Sequence, residues 1–161
     1  MFHIVLVAPE IPPNTGNIAR LCLATGARLH LVKPLGFSID DRSLRRAGLD
    51  YWEQVDVNVW ESFDALQRSV GETARFFFAT TKCERPYFRV AYAPDDYLVF
   101  GRETKGLPES LLEANRESLV TIPMRSGSAR SLNLATAVGI VLYEAVRQRL
   151  VAHGSDHLDV G

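Results

Sequence analysis

The chain has few of the residues that build disulfide or metal frameworks. Its two cysteines, Cys22 and Cys83, are too few for a set of disulfides and form no CxxC pair. The four histidines are scattered along the sequence, so no metal-ligand spacing is present and we expect no metal. This use of cysteine predicts a reduced, cytoplasmic protein.

Long hydrophobic runs are also missing. No apolar run approaches the roughly 18 residues that indicate a membrane span. The first residues, MFHIVLVAPE, lack the basic start of a signal peptide, and their short apolar run indicates a strand instead. We therefore expect neither a signal peptide nor a membrane partner.

Positive charge is not in excess. The 18 basic and 19 acidic side chains give a net charge of -1, whereas proteins that bind nucleic acid usually present a basic surface. Bulk attraction to nucleic acid is therefore not expected. Local basic patches remain open, with the segment RSLRR (42–46) as one candidate and the pair Arg125 and Arg130 as another.

Several common catalytic and nucleotide-binding motifs are absent. The stretch FGRETKGLPES lacks the Gly-Lys-Ser/Thr ending of a Walker A loop, and no GxGxxG fingerprint is present. No serine lies in a nucleophile elbow, which argues against a Ser-His-Asp hydrolase. A generic phosphate-loop protein is thus disfavoured.

Short runs rich in β-formers alternate with helical segments along the chain. The strands are predicted at residues 3–8, 28–32, 55–60, 75–81, 97–101 and 119–123. This alternation predicts an α/β fold with a mostly parallel six-stranded sheet flanked by helices. We predict a single domain over residues 1–151 and a disordered tail over residues 152–161.

The helices are predicted from caps and apolar periodicity. Asn14 or Thr15 would cap the first helix, and Gly26 would end it. The last helix has an apolar stripe from Leu134 to Ala145. Further helices are predicted within residues 40–48, 61–71 and 108–116.

Three polar, glycine-containing stretches follow predicted strands, where parallel sheets bind their ligands. PPNTGNIAR (12–20) is either a ligand site or a helix cap with Arg20 at the surface. FGRETKGLPES (100–110) leaves an open backbone between two glycines, or forms a solvated turn with a salt bridge. MRSGSARSLNLA (124–135) can present free N–H groups to a ligand, or be a long loop that Ser131 caps.

In this order and spacing, the three stretches resemble the signature motifs of a known superfamily. NTGNIAR (14–20), FGRETKGLP (100–108) and IPMRSGSARSLNLATAV (122–138) are similar to the motifs of the SPOUT RNA methyltransferases. The chain is most like the TrmL family of tRNA (cytidine/uridine-34) 2′-O-methyltransferases. The likeness runs over about residues 3–150 and includes RRAGLDYW (45–52).

The resemblance implies properties that the sequence pattern alone does not predict. It implies a SPOUT fold with a C-terminal trefoil knot, a feature that is nearly absent from other proteins, and a homodimer whose active sites use both chains. It also implies methyl transfer from S-adenosyl-L-methionine to the ribose 2′-hydroxyl of the wobble nucleotide (C34 or U34) of leucine tRNAs. Another tRNA position, ribosomal RNA, or RNA binding without catalysis remain as alternatives.

The motif match also implies roles for individual residues. The residues expected at the reaction centre are Arg20, Asn17, Ser131 and Asn133. Arg20 would bind the target phosphate and polarise the 2′-hydroxyl, and the alternative role as base is demanding because an arginine stays protonated. The methyl donor is expected to contact Ala79, Thr80, Gly101, Glu103, Gly106, Ile122, Met124 and Ser131.

Further residues are expected to contact the tRNA. Four arginines are candidates for its phosphates, namely Arg42, Arg45, Arg46 and Arg130. Tyr143 would support the dimer or the substrate, or is simply a packed tyrosine.

The chain differs from the family pattern at a few positions. Arg102 stands where the family often has proline, Lys105 where it often has arginine, and Cys83 where glycine is common. The loop 125–129 is particular to this chain. These differences bear on nucleotide specificity rather than on the fold.

Overall fold

A parallel sheet forms the centre of the molecule in a computed structural model that describes residues 1–39, 42 and 52–158. Its six strands are β1 His3–Val7, β2 Arg28–Val32, β3 Val57–Trp60, β4 Phe76–Ala79, β5 Tyr97–Phe100 and β6 Leu119–Val120. Every pairing is parallel, in the order β3-β2-β1-β5-β4-β6. The predicted α/β fold with a parallel six-stranded sheet is confirmed.

Helices follow four of the strands in the described part of the chain. They are α1 Pro12–Thr25, α2 Phe63–Val70, α3 Glu109–Ala114 and α4 Leu134–His153, with short 3-10 turns at Trp52–Gln54, Tyr87–Arg89 and Arg116–Ser118. The helix predicted within residues 40–48 lies outside the described residues, apart from Arg42. In the described part of the chain, no helix is long and apolar enough to cross a membrane.

The central strands β1, β2 and β5 are buried on both faces, which explains why they are almost continuously apolar. In β1 the side chains of Ile4 and Leu6 join one core cluster, which contains residues of α1 and α4. Val5 and Val7 join the other cluster, with residues of α2 and α3. Because successive side chains of a strand point to opposite faces of the sheet, β1 contributes to both core clusters.

The first helix begins earlier than predicted. Its N-cap is Ile11, and Pro12 and Pro13 occupy the first two helical positions, where a backbone N–H would lack an intrahelical partner. The prediction that Asn14 or Thr15 caps this helix is therefore wrong, since both lie buried within it. Its end is as predicted, because Gly26 adopts the left-handed conformation with φ 69°.

The last helix is longer than predicted. Asn133, rather than Ser131, is its N-cap, and the Asn133 side chain accepts a hydrogen bond from the backbone N–H of Thr136 at 3.2 Å. The helix continues to His153, and Leu158 packs back against the core cluster on this side. The helix therefore includes Ala152 and His153, the first two residues of the predicted tail.

A directional hydrogen-bond chain joins two buried histidines on β1 and β2. Trp60 Nε1 donates to His30 Nδ1 at 3.0 Å, so a neutral His30 has its proton on Nε2 and donates to His3 Nδ1 at 2.9 Å. Tyr97 stacks on His3, with 4.1 Å between the ring centroids. Burial lowers the pKa of His3, and it lowers the pKa of His30 to about 4.

We expect the free energy of unfolding to decrease as the pH falls from about 6.5 towards 4. In the unfolded chain a histidine binds its proton near pH 6.5, whereas folded His30 binds it only near pH 4. The unfolded state therefore holds more protons over this range, which lowers stability by up to about 1.4 kcal/mol per pH unit. Urea unfolding at several pH values measures this slope.

Two variants separate His30 from other titrating groups. In His30→Gln the amide can accept from Trp60 and donate to His3 but cannot titrate, so the slope should become shallower. In His153→Gln, at the exposed end of α4, the slope should stay as in the wild type. An unchanged slope in His30→Gln would contradict the prediction.

Candidate active site

A cavity of about 490 Å³ opens at the carboxyl ends of β4, β5 and β6. Segments of the loops that follow β1, β4, β5 and β6 form its walls, together with the start of α4. Every residue predicted to contact the methyl donor lines it, namely Ala79, Thr80, Gly101, Glu103, Gly106, Ile122, Met124 and Ser131. The fold thus brings the three motif stretches together around one space.

Glu103 connects the second motif to the start of the first helix. Its carboxylate accepts hydrogen bonds from the backbone N–H of Glu10 at 2.8 Å and of Ile11 at 3.0 Å. A negative charge is favoured at this end of a helix, where the helix dipole is positive. The alternative of a solvated turn with a salt bridge does not describe Glu103, because its carboxylate binds the backbone of another loop.

A second contact joins the same two loops in the opposite direction. The Thr104 hydroxyl donates to the Glu10 carboxylate at 2.7 Å. This hydrogen bond holds the pKa of the Glu10 carboxyl below its usual value. Sequence reasoning missed this pair, since the two residues lie 94 positions apart.

Two asparagines extend the network from Glu103 to the third motif. Asn14 Nδ2 donates to Glu103 at 3.4 Å, and Asn133 Nδ2 donates to Asn14 Oδ1 at 3.0 Å. Asn133 Oδ1 in turn accepts from the Thr136 N–H. A carboxylate only accepts and a backbone N–H only donates, so both ends of this chain fix the orientation of both amides.

We expect Asn14→Asp to destabilise the protein by about 1–3 kcal/mol, because it replaces the donor that faces Glu103 with a second carboxylate. Asn14 is only 7% exposed and Glu103 is half-buried, so water screens the repulsion incompletely. Equilibrium urea unfolding measures the change.

The matched control is Gln54→Glu, the same change from amide to carboxylate at an exposed side chain outside this network. There we expect a change within about 0.5 kcal/mol. Equal losses in the two variants would show that the amide chain has no special role in stability.

Gly101 allows the loop after β5 to fold back on itself. A Cβ at this position would lie 2.0 Å from the Gly106 carbonyl carbon and 2.2 Å from the Leu107 nitrogen. Gly106 itself has φ +67°, and its N–H donates to the Arg102 carbonyl at 2.9 Å. The spacing of the two glycines therefore produces a tight turn that exposes backbone to the cavity.

The cavity is lined by more positive than negative charge. Four cationic side chains contribute to its walls, namely Lys82, Arg102, Lys105 and Arg130. Among the described residues that line it, Glu103 is the one acidic group, and backbone N–H groups already bind it. An anionic substrate is therefore favoured near this opening although the whole chain has a net charge of -1.

The other predicted residues do not all join this cavity. Asn133 and Arg130 line it, whereas Asn17 and Arg20 lie on the exposed side of α1 and do not. Tyr143 is 48% exposed on α4, the helix that packs against α1. Within a single chain, two residues of the expected reaction centre, Asn17 and Arg20, therefore lie outside the cavity.

Of the remaining candidates for RNA contacts, the structure describes one. Arg42 is exposed, and Arg45 and Arg46 lie outside the described residues. Within residues 1–39, 42 and 52–158, no cluster of three or more His, Cys, Asp or Glu side chains could hold a metal ion.

Comparison with known proteins places this site in a family. A model described as the SpoU rRNA Methylase family matches residues 1–143. The chain belongs to the SpoU methylase family. A tRNA (cytidine(34)-2'-O)-methyltransferase of Burkholderia ambifaria is 51% identical to this SpoU methylase over 150 residues, which cover 92% of the chain and 96% of the relative.

Solved structures agree with this assignment. One described as "Structural insights into the 2-OH methylation of C/U34 on tRNA" matches the SpoU methylase with a TM-score of 0.89 and 46% identity, over 94% of this chain and 97% of the other. An AdoMet-bound rRNA methyltransferase from Sinorhizobium meliloti matches with a TM-score of 0.78 and 27% identity, over 91% of this chain and 56% of the other.

Proposed function

We propose that this SpoU methylase transfers a methyl group from S-adenosyl-L-methionine to the ribose 2′-hydroxyl of nucleotide 34 in leucine tRNAs. The observation that supports this most directly is the cavity where the three motif loops meet, in a chain 51% identical to an enzyme named for cytidine 34 of tRNA. Such an activity would take place in the cytoplasm.

The cavity suits the proposed methyl donor. Its volume of about 490 Å³ falls in the range of about 300–1,000 Å³ typical of small-molecule sites. Leu107, Ile122 and Met124 offer apolar surface for an adenine ring, and the turn at Gly101 exposes backbone groups that can hydrogen-bond it. When bound, the donor would supply a methyl group on a positively charged sulfur, and Glu103 is the acidic side chain among the described residues that line the cavity.

The protein's own residues would align the accepting oxygen. Asn133 is held by Asn14 and by Thr136, so its side chain has one orientation at the cavity wall. Ser131 lies exposed on the same wall and can contact the ribose. Alignment of two reactants can contribute roughly 7–11 kcal/mol to a barrier, which makes such fixed groups valuable.

We further propose that Arg20 reaches the cavity of a second copy of the chain. It would bind the phosphate next to the target nucleotide and polarise the 2′-hydroxyl. Asn17, Arg20 and Tyr143 are exposed on α1 and α4, the two helices that pack together on one face of the sheet. A homodimer formed through this helix layer would bring both parts of the reaction centre together.

The proposed fold includes the family's C-terminal trefoil knot. Three observations support it: β6 lies at the sheet edge beside β4, the following loop lines the cavity, and α4 then packs against α1 and β5. A knot also needs the chain after β6 to pass through another loop, and the packing of α4 against α1 and β5 brings this part of the chain back across the sheet.

Transfer of labelled methyl from S-adenosyl-L-methionine to tRNA tests the proposed function. Leucine tRNA should become labelled, and the same tRNA with a 2′-deoxy nucleotide at position 34 should not. Label at another tRNA position, or on ribosomal RNA alone, would refute the proposed site. Binding of tRNA without any transfer would support a non-catalytic RNA-binding module instead.

A further inference from the structure

The segment after β4 presents an aromatic ring and two arginines at the surface. Within this basic aromatic turn, defined as residues 85–89, Phe88 is 46% exposed. The Tyr87 ring contacts Phe88 edge-on, with 5.3 Å between centroids, and the Arg89 guanidinium lies 5.9 Å from the centre of the Phe88 ring. An exposed ring next to a cation is an arrangement that can stack a flat ligand.

The backbone of the turn is held firmly, so the exposure of Phe88 is built into the fold. Tyr87 N donates to the Thr121 carbonyl at 2.9 Å, and Thr121 N donates to the Arg85 carbonyl at 2.8 Å. Arg89 N donates to the Pro86 carbonyl at 3.0 Å, which closes the 3-10 turn. A rigid exposed ring loses little conformational entropy when a partner binds it.

The local charge is opposite to that of the whole chain. Residues 82–89, KCERPYFR, contain three basic side chains and one acidic side chain, a net of +2, whereas the chain as a whole has -1. Lys82 forms an ion pair with Glu109, and Arg85 donates to the Glu117 carbonyl at 3.1 Å. Arg89 is exposed beside the ring.

The turn begins at the rim of the cavity. Lys82, three residues before it, and Thr121, which pairs with Arg85 and Tyr87, both line the cavity wall. A chain of nucleotides with one ribose in the cavity would therefore pass close to Phe88. Positive charge and an exposed ring together favour nucleic acid over an apolar protein partner.

We infer that the basic aromatic turn binds one unpaired nucleotide of the RNA next to the target nucleotide, with the base stacked on Phe88 and its phosphate bound by Arg85 and Arg89. This inference rests on the proposed function for the identity of the RNA. Stacking on an aromatic ring is tolerant of base identity, so the contact would hold the loop in place without selecting a sequence. Unpaired loops are also where proteins most often bind RNA bases.

A tryptophan at position 88 provides a direct probe. Phe88→Trp keeps a stacking ring, and a base stacked on it should quench fluorescence beyond the quenching of Trp52 and Trp60 in the wild type when an anticodon stem-loop of leucine tRNA is added. The reference is a variant with the same tryptophan and Arg89→Ala, in which the titration midpoint should move to higher RNA concentration. Absence of any quenching while the RNA binds would overturn the inference.

Steady-state kinetics give an independent readout. Phe88→Ala should raise KM for tRNA by about ten-fold and leave kcat unchanged, since the ring would bind RNA away from the reacting atoms. Phe88→Trp should restore KM. Val59→Ala and Arg68→Ala remove an exposed apolar and an exposed basic side chain elsewhere on the surface, and should change neither constant.

Two other outcomes have distinct meanings. A normal KM in Phe88→Ala would overturn the inference while the proposed function stands. Loss of dimer mass in sedimentation of Phe88→Ala would also overturn it, because the ring would then belong to a contact between copies of the chain. If the wild type fails to label nucleotide 34, the proposed function fails, and the fluorescence titration still tests RNA stacking on the turn.

Discussion

Gly101→Ala is expected to reduce affinity for S-adenosyl-L-methionine on the order of 100-fold, equivalent to about 2.8 kcal/mol, because the turn that lines the cavity must move. The added Cβ would lie 2.0 Å from the Gly106 carbonyl carbon, and backbone cannot yield as a flexible side chain would. The turn must therefore open, and Glu103 and Thr104 lie between its two ends. Calorimetric titration with the donor measures the loss.

The matched control lies in the same turn. At Gly106 an added Cβ has no atom within 4 Å, but φ is +67°. Gly106→Ala should therefore cost roughly 1–2 kcal/mol of stability through backbone strain without displacing the loop. Circular dichroism and thermal unfolding show whether both variants remain folded. If folded Gly101→Ala binds the donor as well as Gly106→Ala does, the close approach at Gly101 has no part in the site.

Local patterns were sufficient to predict the sheet and two of the loops that line the cavity, whereas the loop at Ala79 was predicted from the motif resemblance. The strands are short apolar runs with turn residues after them, and parallel strands place those turns at one edge. That geometry brings the loops at Ala79, Gly101 and Ile122 together whatever their distance in sequence. The motif resemblance then assigned those loops to a methyl donor.

The contacts between the loops could not be predicted in the same way. Asn14 was predicted as a cap for its own helix, whereas its amide spans two other motifs, 89 and 119 residues away. Glu103 provides the carboxylate at the amino end of α1 in place of a local cap. Local propensity describes the donors and acceptors of one segment, but the identity of their partners depends on tertiary structure.

The two cap predictions failed for a related reason. In the first helix, two prolines provide the start by removing N–H donors, so a polar cap is not needed where Asn14 stands. In the last helix, both Ser131 and Asn133 are suitable residue types, and the hydrogen bond from Asn133 to Asn14 decides between them. Each case depends on neighbours that are distant in sequence.

The role of Arg20 is hard to predict for a different reason, because the cavity in which it is proposed to act belongs to a second copy of the chain. If Arg20 acts in the cavity of the partner subunit, Arg20→Ala should lower kcat by about 100-fold or more, as loss of one charge-stabilising donor does in other enzymes. A dimer with Arg20→Ala in one subunit and Gly101→Ala in the other should regain about half of wild-type activity. One of its two sites then has both an intact cavity and an intact arginine.

A crossed control distinguishes an Arg20 that acts in the cavity of the partner subunit from one that acts in its own chain. A dimer of one wild-type subunit and one subunit with both substitutions should be inactive if Arg20 crosses to the partner, because each site then lacks one element. If Arg20 acts within its own chain, the same dimer should have about half of wild-type activity, and the first mixed dimer should have none. Heterodimers isolated with two different affinity tags allow both measurements on the same tRNA. Each hypothesis predicts one half-active dimer and one inactive dimer, and the two hypotheses differ in which dimer is active. A loss of folding would inactivate both dimers, so it matches neither pattern.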